Sequence, residues 1–297
     1  MDYQLGAVGH RETLANLEYA FKRFREIGVS VPARSRLIKA KELLEQMVAK
    51  SIDVRKSVKL RRDLAEAQRV AMEFHELARA INPRARPASP RLRNDLQRAY
   101  GGELNPAAQD HVSVAARNLQ FQLWLASWFA AGERPLLYEE PDLKVTYWFR
   151  WYGVAAKRAQ KPSTIIRNVI AAAQQVKKRI GHGFVALTVD NYSPAFTKRF
   201  AGLRNSERFF NRVPELAAAA TWCENSAPWI HAILVFGAHA RWRLQLKPPL
   251  LELAFPELLI RLARDKCDHA HLAEFFQEIQ QYRKARLGGI EPPSRDE

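Results

Sequence analysis

The sequence predicts an α/β protein with a mixed central sheet flanked by helices, an N-terminal helical module before it and C-terminal helices after it. Three observations carry this. Apolar residues recur at helical spacing through the first third of the chain, and short β-branched runs then alternate with helical segments. The run "GFVALTVDNY" at 183–192 is almost wholly apolar up to Val189, as a buried central strand is. With 297 residues and a mass of 34.0 kDa, the chain can bury one large core or two modest ones.

Taken in order, "RETLANLEYAFKRFREIG" sets Leu14, Leu17, Ala20, Phe21 and Phe24 on one helical stripe, with Gly28 as the stop. The segments at 33–50 and 57–82 read as two further helices with charged outer faces, so residues 1–81 form a helical module. Residues 82–109 read as a linker, proline- and arginine-rich at "NPRARPASPR", followed by a short helix closed by Gly101 and Gly102. The α/β core spans 110–253. It starts with the apolar helix at 111–132 and continues with a hairpin formed by strands at 135–147 and 152–157. A basic amphipathic helix at 161–181 leads to the apolar strand at 183, a helix at 207–225, and strand-like runs at 229–237 and 240–246. Residues 254–286 are expected to return to helix, and 287–297 to form a tail.

Composition narrows the function. The chain carries 47 basic and 31 acidic residues, a net charge of +16. Residues 1–110 hold 21 basic and 14 acidic residues, 111–246 hold 18 and 8, and 247–297 hold 8 and 9, so the excess is greatest in the middle of the chain, where the hairpin lies. A polyanion is the natural partner of such a surface, with DNA ahead of RNA. No apolar run reaches membrane-spanning length, the start has no secretory pattern, and the 2 cysteines, Cys223 and Cys267, make no disulfide framework. A cytoplasmic protein without a membrane partner is expected. Walker, dinucleotide, G-x-S-x-G and H-E-x-x-H motifs are absent. The long N-terminal helices offer a surface for a homodimer or a protein partner.

The chemistry concentrates in "EEPDLKVTYWFRWYGVAAKR" at 139–158. Residues two apart in a strand share a face, so Ala155 stands beside Lys157, while Glu140 and Asp142 project together at the entrance of the first strand. Carboxylates near a lysine suit metal-assisted phosphodiester hydrolysis. They hold a hard cation that activates water, and the ammonium meets charge on the phosphoryl oxygens.

Over residues 110–246, the order helix, acidic strand start, hairpin, lysine strand, helix and apolar strand resembles the PD-(D/E)xK nuclease superfamily, the restriction-endonuclease-like fold. "EPD" at 140–142 matches the motif aspartate and "VAAKR" at 154–158 the strand that ends in (D/E)xK. The resemblance implies that Asp142, helped by Glu140, binds magnesium or manganese, and that Lys157 assists the attacking water. It further implies that Gln122 (or Gln120) on the preceding helix contacts the metal's water shell or the substrate. Two positions depart from the pattern: Ala155 stands where the family has an acid, and Gln122 where some relatives carry a glutamate. Glu139, Glu140 and Asp190 are the available substitutes.

The expected function is thus a metal-dependent endonuclease, for which a restriction or phage-defence setting fits. The alternative is a catalytically inactive nuclease-like fold that binds nucleic acid or a protein. Arg158 and Lys161 are expected to touch phosphates. Arg150 and Trp151, in the aromatic knot at 147–152, would stack on or clasp nucleic acid, unless the N-terminal helices cover the knot. The basic end Lys177, Lys178 and Arg179 reads as a solvated face. Cys267, His269 and His271 lack zinc-site spacing. His231 and His239 read as core-edge residues.

Overall fold

A computed structural model describes residues 2–3, 9–49, 52–81, 90–104, 110–130, 136–137, 142–147, 150–159, 161–189, 213–237, 239–243, 250–261, 274–279 and 281. The protein is mixed α/β. Its chain divides into two compact units. The first is Met1–Trp124 with Asp190–Ala201 and Gly237–Pro256; the second is Leu125–Val189 with Gly202–Phe236 and Glu257–Glu297. The division falls inside a helix, after Trp124, rather than at 110.

The first unit holds the helices α1 (His10–Glu26), α2 (Arg36–Val48), α3 (Val58–Ala80), α4 (Pro90–Ala99) and the start of α5 (His111–Ala130). It also holds β1 (Asp2–Tyr3), β7 (His239–Arg243) and the first part of β8 (Leu250–Arg261). Both β1 and β7 pair antiparallel with β8, in the registers Tyr3↔Phe255 and His239↔Ala254. Helix α1 buries Leu17, Ala20, Phe21 and Phe24. It ends in a Schellman turn, with Gly28 N–H donating to Arg25 O and Val29 N–H to Phe24 O. That turn needs Gly28 at φ +78°, which a residue without Cβ adopts at no steric cost. Ser35, Ser57 and Asp110 accept from Ile38 N, Leu60 N and Ser113 N, capping α2, α3 and α5. The rings of Phe24, Phe74 and Tyr100 meet at 5.5–6.0 Å and form the centre of the core.

Not all of the charged residues of α3 face solvent as the pattern suggests. Glu66, Arg69 and Glu76 are buried, as are Arg36 and Arg117. Arg69 grips Glu66 with two nitrogens, at 2.7 and 2.9 Å, and reaches Glu73 at 2.8 Å. Gln120 donates to Glu73 and accepts from Arg36, and Arg36 also donates to Ala99 O at 2.8 Å. Trp124 Nε1 donates to Glu76 at 2.9 Å, and Arg117 donates to Glu103 O at 3.1 Å. Arg69 on α3 itself, with the side-chain donors Gln120 and Trp124 of α5, is what allows α3 to bury its acids.

The second unit is built on a sheet. β2 (Leu136–Leu137), β3 (Leu143–Tyr147) and β4 (Arg150–Ala159) form an antiparallel meander. β5 (Gly183–Val189) then pairs parallel to β4, a connection that needs a crossover, supplied by α6 (Ile165–Arg179). After α7 (Pro214–Ser226), β6 (Ile230–Gly237) follows β5 in the order and pairs antiparallel with the end of β8. The 254–261 stretch is therefore strand, where helix was expected; the described helix of this region is at 274–279. Pro256 lies in the middle of that stretch and would break a helix interior. In β8 it sits where the partner changes from β1 to β6.

One sheet face carries Val154, Phe184 and Phe236, packed under Trp128, Phe275 and Phe276. The other lies against α6. At the start of the parallel pair the two backbones nearly touch: a Cβ on Gly183 would lie 1.9 Å from Gly153 O. Among the described residues, no helix is long and apolar enough to cross a membrane.

Gly183→Ala forces β4 and β5 apart, because backbone rather than a movable side chain stands in the way. A loss of about 2–4 kcal/mol in chemical unfolding is expected. A second test concerns His75, stacked edge-on against Tyr19 at 5.3 Å. Burial, aided by the Arg79 charge, holds its imidazole down from 6.5 to about 4. The unfolded chain therefore takes up this proton first as pH falls. Stability that is complete above pH 6.5 should decline towards pH 4, and His75→Gln should flatten that slope in unfolding measured across the range.

Candidate functional site

The face of the sheet under α6 is fixed by the register of the hairpin. Leu143 pairs with Val154 and Val145 with Tyr152, and Leu143, Val145 and Val154 are buried on the aromatic side. Asp142, Lys144, Ala155 and Lys157 therefore belong to the opposite side. Asp142 stands one residue before β3 begins, level with Ala155, and Lys157 lies two residues further along the same face. This register brings the acid onto the face of the lysine.

Each is held by a hydrogen bond. On β4, the Ala156 N–H faces the side where β3 has already ended. Asp142 Oδ2 takes the place of the missing strand and accepts that N–H at 2.7 Å. The carboxylate so prevents a buried backbone donor from being orphaned; Ala156 is 5% exposed. Lys157 is half-buried, and its Nζ donates to Gln175 Oε1 on α6 at 2.8 Å. Ala155, between them, is fully buried. Nothing in the sequence pattern singles out Gln175. Its signal is faint: it adjoins the inward stripe Ile165, Val169, Ala172 and Val176 of α6, 18 residues from Lys157.

The other expected residues are dispersed. Arg158 follows Lys157, so strand alternation turns its side chain to the opposite face; its carbonyl accepts from Asn168 Nδ2 at 3.1 Å, tying the first turns of α6 to β4. The expected phosphate contact beside Lys157 is not where this residue points. Lys161 is exposed on the turn into α6, where its carbonyl accepts from Thr164. Arg150 and Trp151 are exposed at the start of β4, and Trp151 is 38% accessible. Six residues of strand, about 20 Å, separate Trp151 from Lys157. Of the knot, Tyr152 turns inward and stacks on Phe184 at 5.2 Å.

Gln122 is half-buried on α5, in the part of the helix that belongs to the first unit. Gln120 is absorbed in the buried Arg36–Glu73 network. Glu139, Glu140, Asp190, Cys267, His269 and His271 lie outside the described residues, as does the side chain of His239. His231 packs edge-on against Tyr152 at 5.5 Å, as a core-edge residue does. Lys177 lies over the Trp229 ring at 4.3 Å, while Lys178 and Arg179 are exposed.

A magnesium or manganese ion at this face would find Asp142 as its described carboxylate, with a neutral alanine and a neutral amide as neighbours. Among the described residues no three His, Cys, Asp or Glu side chains cluster as a metal site. Hard divalent ions take six or more oxygens, several from water, and bind more tightly as carboxylates are added. Compared with protein-family models, with curated proteins and with solved structures, the chain matches none of them.

Replacing Asp142 with alanine should cost about 1–3 kcal/mol in unfolding, by leaving the Ala156 N–H without its acceptor. Hydrogen exchange at that amide should quicken. Asp142→Asn, which retains an acceptor oxygen, should recover most of the loss; equal exchange in both variants would show that the carboxylate does not hold the strand.

Proposed function

We propose that this chain is a metal-dependent nucleic-acid phosphodiester hydrolase of the endonuclease type, acting in the cytoplasm on DNA ahead of RNA. The single observation that carries the reading is the placement of Asp142 and Lys157 on one face, at the opening of a hairpin. Two features support it: the order of helix, three antiparallel strands, crossover helix and parallel strand from α5 to β5, and the basic excess around these elements. This is the order expected of a restriction-endonuclease-like fold, and restriction or phage defence is the setting such an enzyme would serve.

In this mechanism Asp142, with Glu140 as the second carboxylate, would hold the metal ion, which would supply activation of a water and polarisation of the phosphate. The Lys157 ammonium, held from α6, meets the charge that grows on the phosphoryl oxygens. Lys161, at the edge of the turn, positions the backbone of the substrate without reading its sequence. Arg150 and Trp151 form a separate contact at the far end of β4, clasping a phosphate and stacking on a base.

A second reading has its own observation. Ala155 and Gln175 are neutral where a second acid is wanted, and Asp142 already serves Ala156 N–H. A protein so built would hold nucleic acid without cutting it, as a binding subunit, with its N-terminal helices on a partner protein or a second copy.

Plasmid nicking in magnesium and in manganese separates the two. The enzyme should nick, and Lys157→Ala should lose about a hundredfold or more in rate while weakening DNA binding about tenfold. Supercoiled plasmid that is bound but never nicked, with no heat of metal binding that depends on Asp142, would decide for the binding subunit.

A further inference from the structure

We infer that Gln175 is the positioning residue of this site: its amide oxygen fixes the Lys157 ammonium in place and leaves the full positive charge available to a phosphate. The inference rests on the phosphodiester reading of the Asp142–Lys157 face and adds a residue that neither the motif nor the charge pattern contains.

The reason is electrostatic. A lysine side chain has four rotatable bonds, and a free ammonium on a strand end would sample many positions. The Lys157 Nζ is instead held at 2.8 Å by Gln175 Oε1, from a helix that is itself tied to β4 by Asn168. Had the partner been a carboxylate, the pair would be an ion pair. An approaching phosphate would then meet a neutral couple and would have to compete with the carboxylate for the ammonium. An amide oxygen supplies the same geometry with no net charge. The neighbouring positions keep to this logic. Ala155, fully buried between the strand and α6, adds no charge, and Lys144 adds a second cation on the same face. Asp142 is drawn to the end of β3, where it serves Ala156 N–H rather than Lys157.

The test uses the full chain, a fluorescent DNA duplex of about 25 base pairs and EDTA, so that cleavage plays no part. Anisotropy is read across salt from about 50 to 200 mM. Gln175→Glu keeps an acceptor at the same reach and makes the pair ionic. Its thermal stability should equal or exceed that of the wild type, yet its DNA affinity should fall about tenfold. The salt slope should become shallower by roughly 0.9, as it does when one phosphate fewer is neutralised. Gln175→Leu removes the acceptor at similar size and should weaken binding about threefold, with no further loss when made in Lys157→Ala. A merely structural glutamine would tolerate Glu without loss of DNA affinity, and wild-type affinity in Gln175→Glu would overturn the assignment. A Gln175→Leu loss that persists in Lys157→Ala would overturn it as well. Should Lys157→Ala itself bind DNA as tightly as the wild type, the phosphodiester reading falls, and Gln175 with it. Loss in Lys157→Ala without loss in Gln175→Glu removes Gln175 alone.

Discussion

The strand unit depends on the approach of two glycines. Gly153 and Gly183 face each other across the parallel pair so closely that β5 could not carry a side chain at 183 without parting from β4. Their N–H groups continue the hydrogen bonding in the same direction, Gly153 to His182 O and Gly183 to Trp229 O. This approach locks β4 against β5 at the end where the two strands start, and the register it sets runs along the strand to Lys157. The position of the ammonium beneath α6 is thus a consequence of backbone packing about four residues upstream. The α6 crossover then has one face to cover, and it covers that face with alanines and β-branched residues that allow the helix close to the sheet.

The two units treat charge differently. In the helical unit, Glu66 and Glu73 are paired with Arg69 and Glu76 accepts from Trp124 within a largely buried region, so part of the charge on α3 is balanced locally. Such a network is weak as a source of stability, since the ions must be dehydrated, but each member fixes the helix that carries its partner. Around the hairpin and α6 the charges are mainly basic, and several are exposed: Arg150, Lys161, Arg167, Lys178 and Arg179. The charge of the whole chain thus combines a buried balance on α3 with a basic excess that both units carry, 27 basic against 16 acidic residues in the first and 20 against 15 in the second.

Much of this was legible in the sequence because it depends on neighbours in the chain. The stripe of α1, the stop at Gly28, the crossover helix and the buried run of β5 are all local patterns, and the structure has them where the periodicity places them. That Ala155 and Lys157 share a face followed from strand alternation alone, and the hairpin register adds Asp142 to it. What was not legible depends on distant partners. The acids of α3 read as solvent-facing because two of the donors that help bury them, Gln120 and Trp124, come from α5, tens of residues away. The 254–261 part of β8 read as helix because "AFPELLIR" has no strict alternation, and only the strands beside it decide its state. Gln175 was invisible for the same reason: an amide on an amphipathic helix has no signal until the strand beneath it is known.

The burial of Ala155 also bears on how such a site could change over generations. Alanine and glutamine codons each lie one base away from a glutamate codon, so the genetic code makes a second acid at 155 or at 175 equally near. Packing does not. A glutamate at 155 would have to enter a fully buried space between β4 and α6 and displace what fills it, whereas one at 175 would keep the length and reach of the present side chain and gain a lysine as its partner. The fold leaves one of two equally short mutational paths open, and that path runs through the helix rather than the strand.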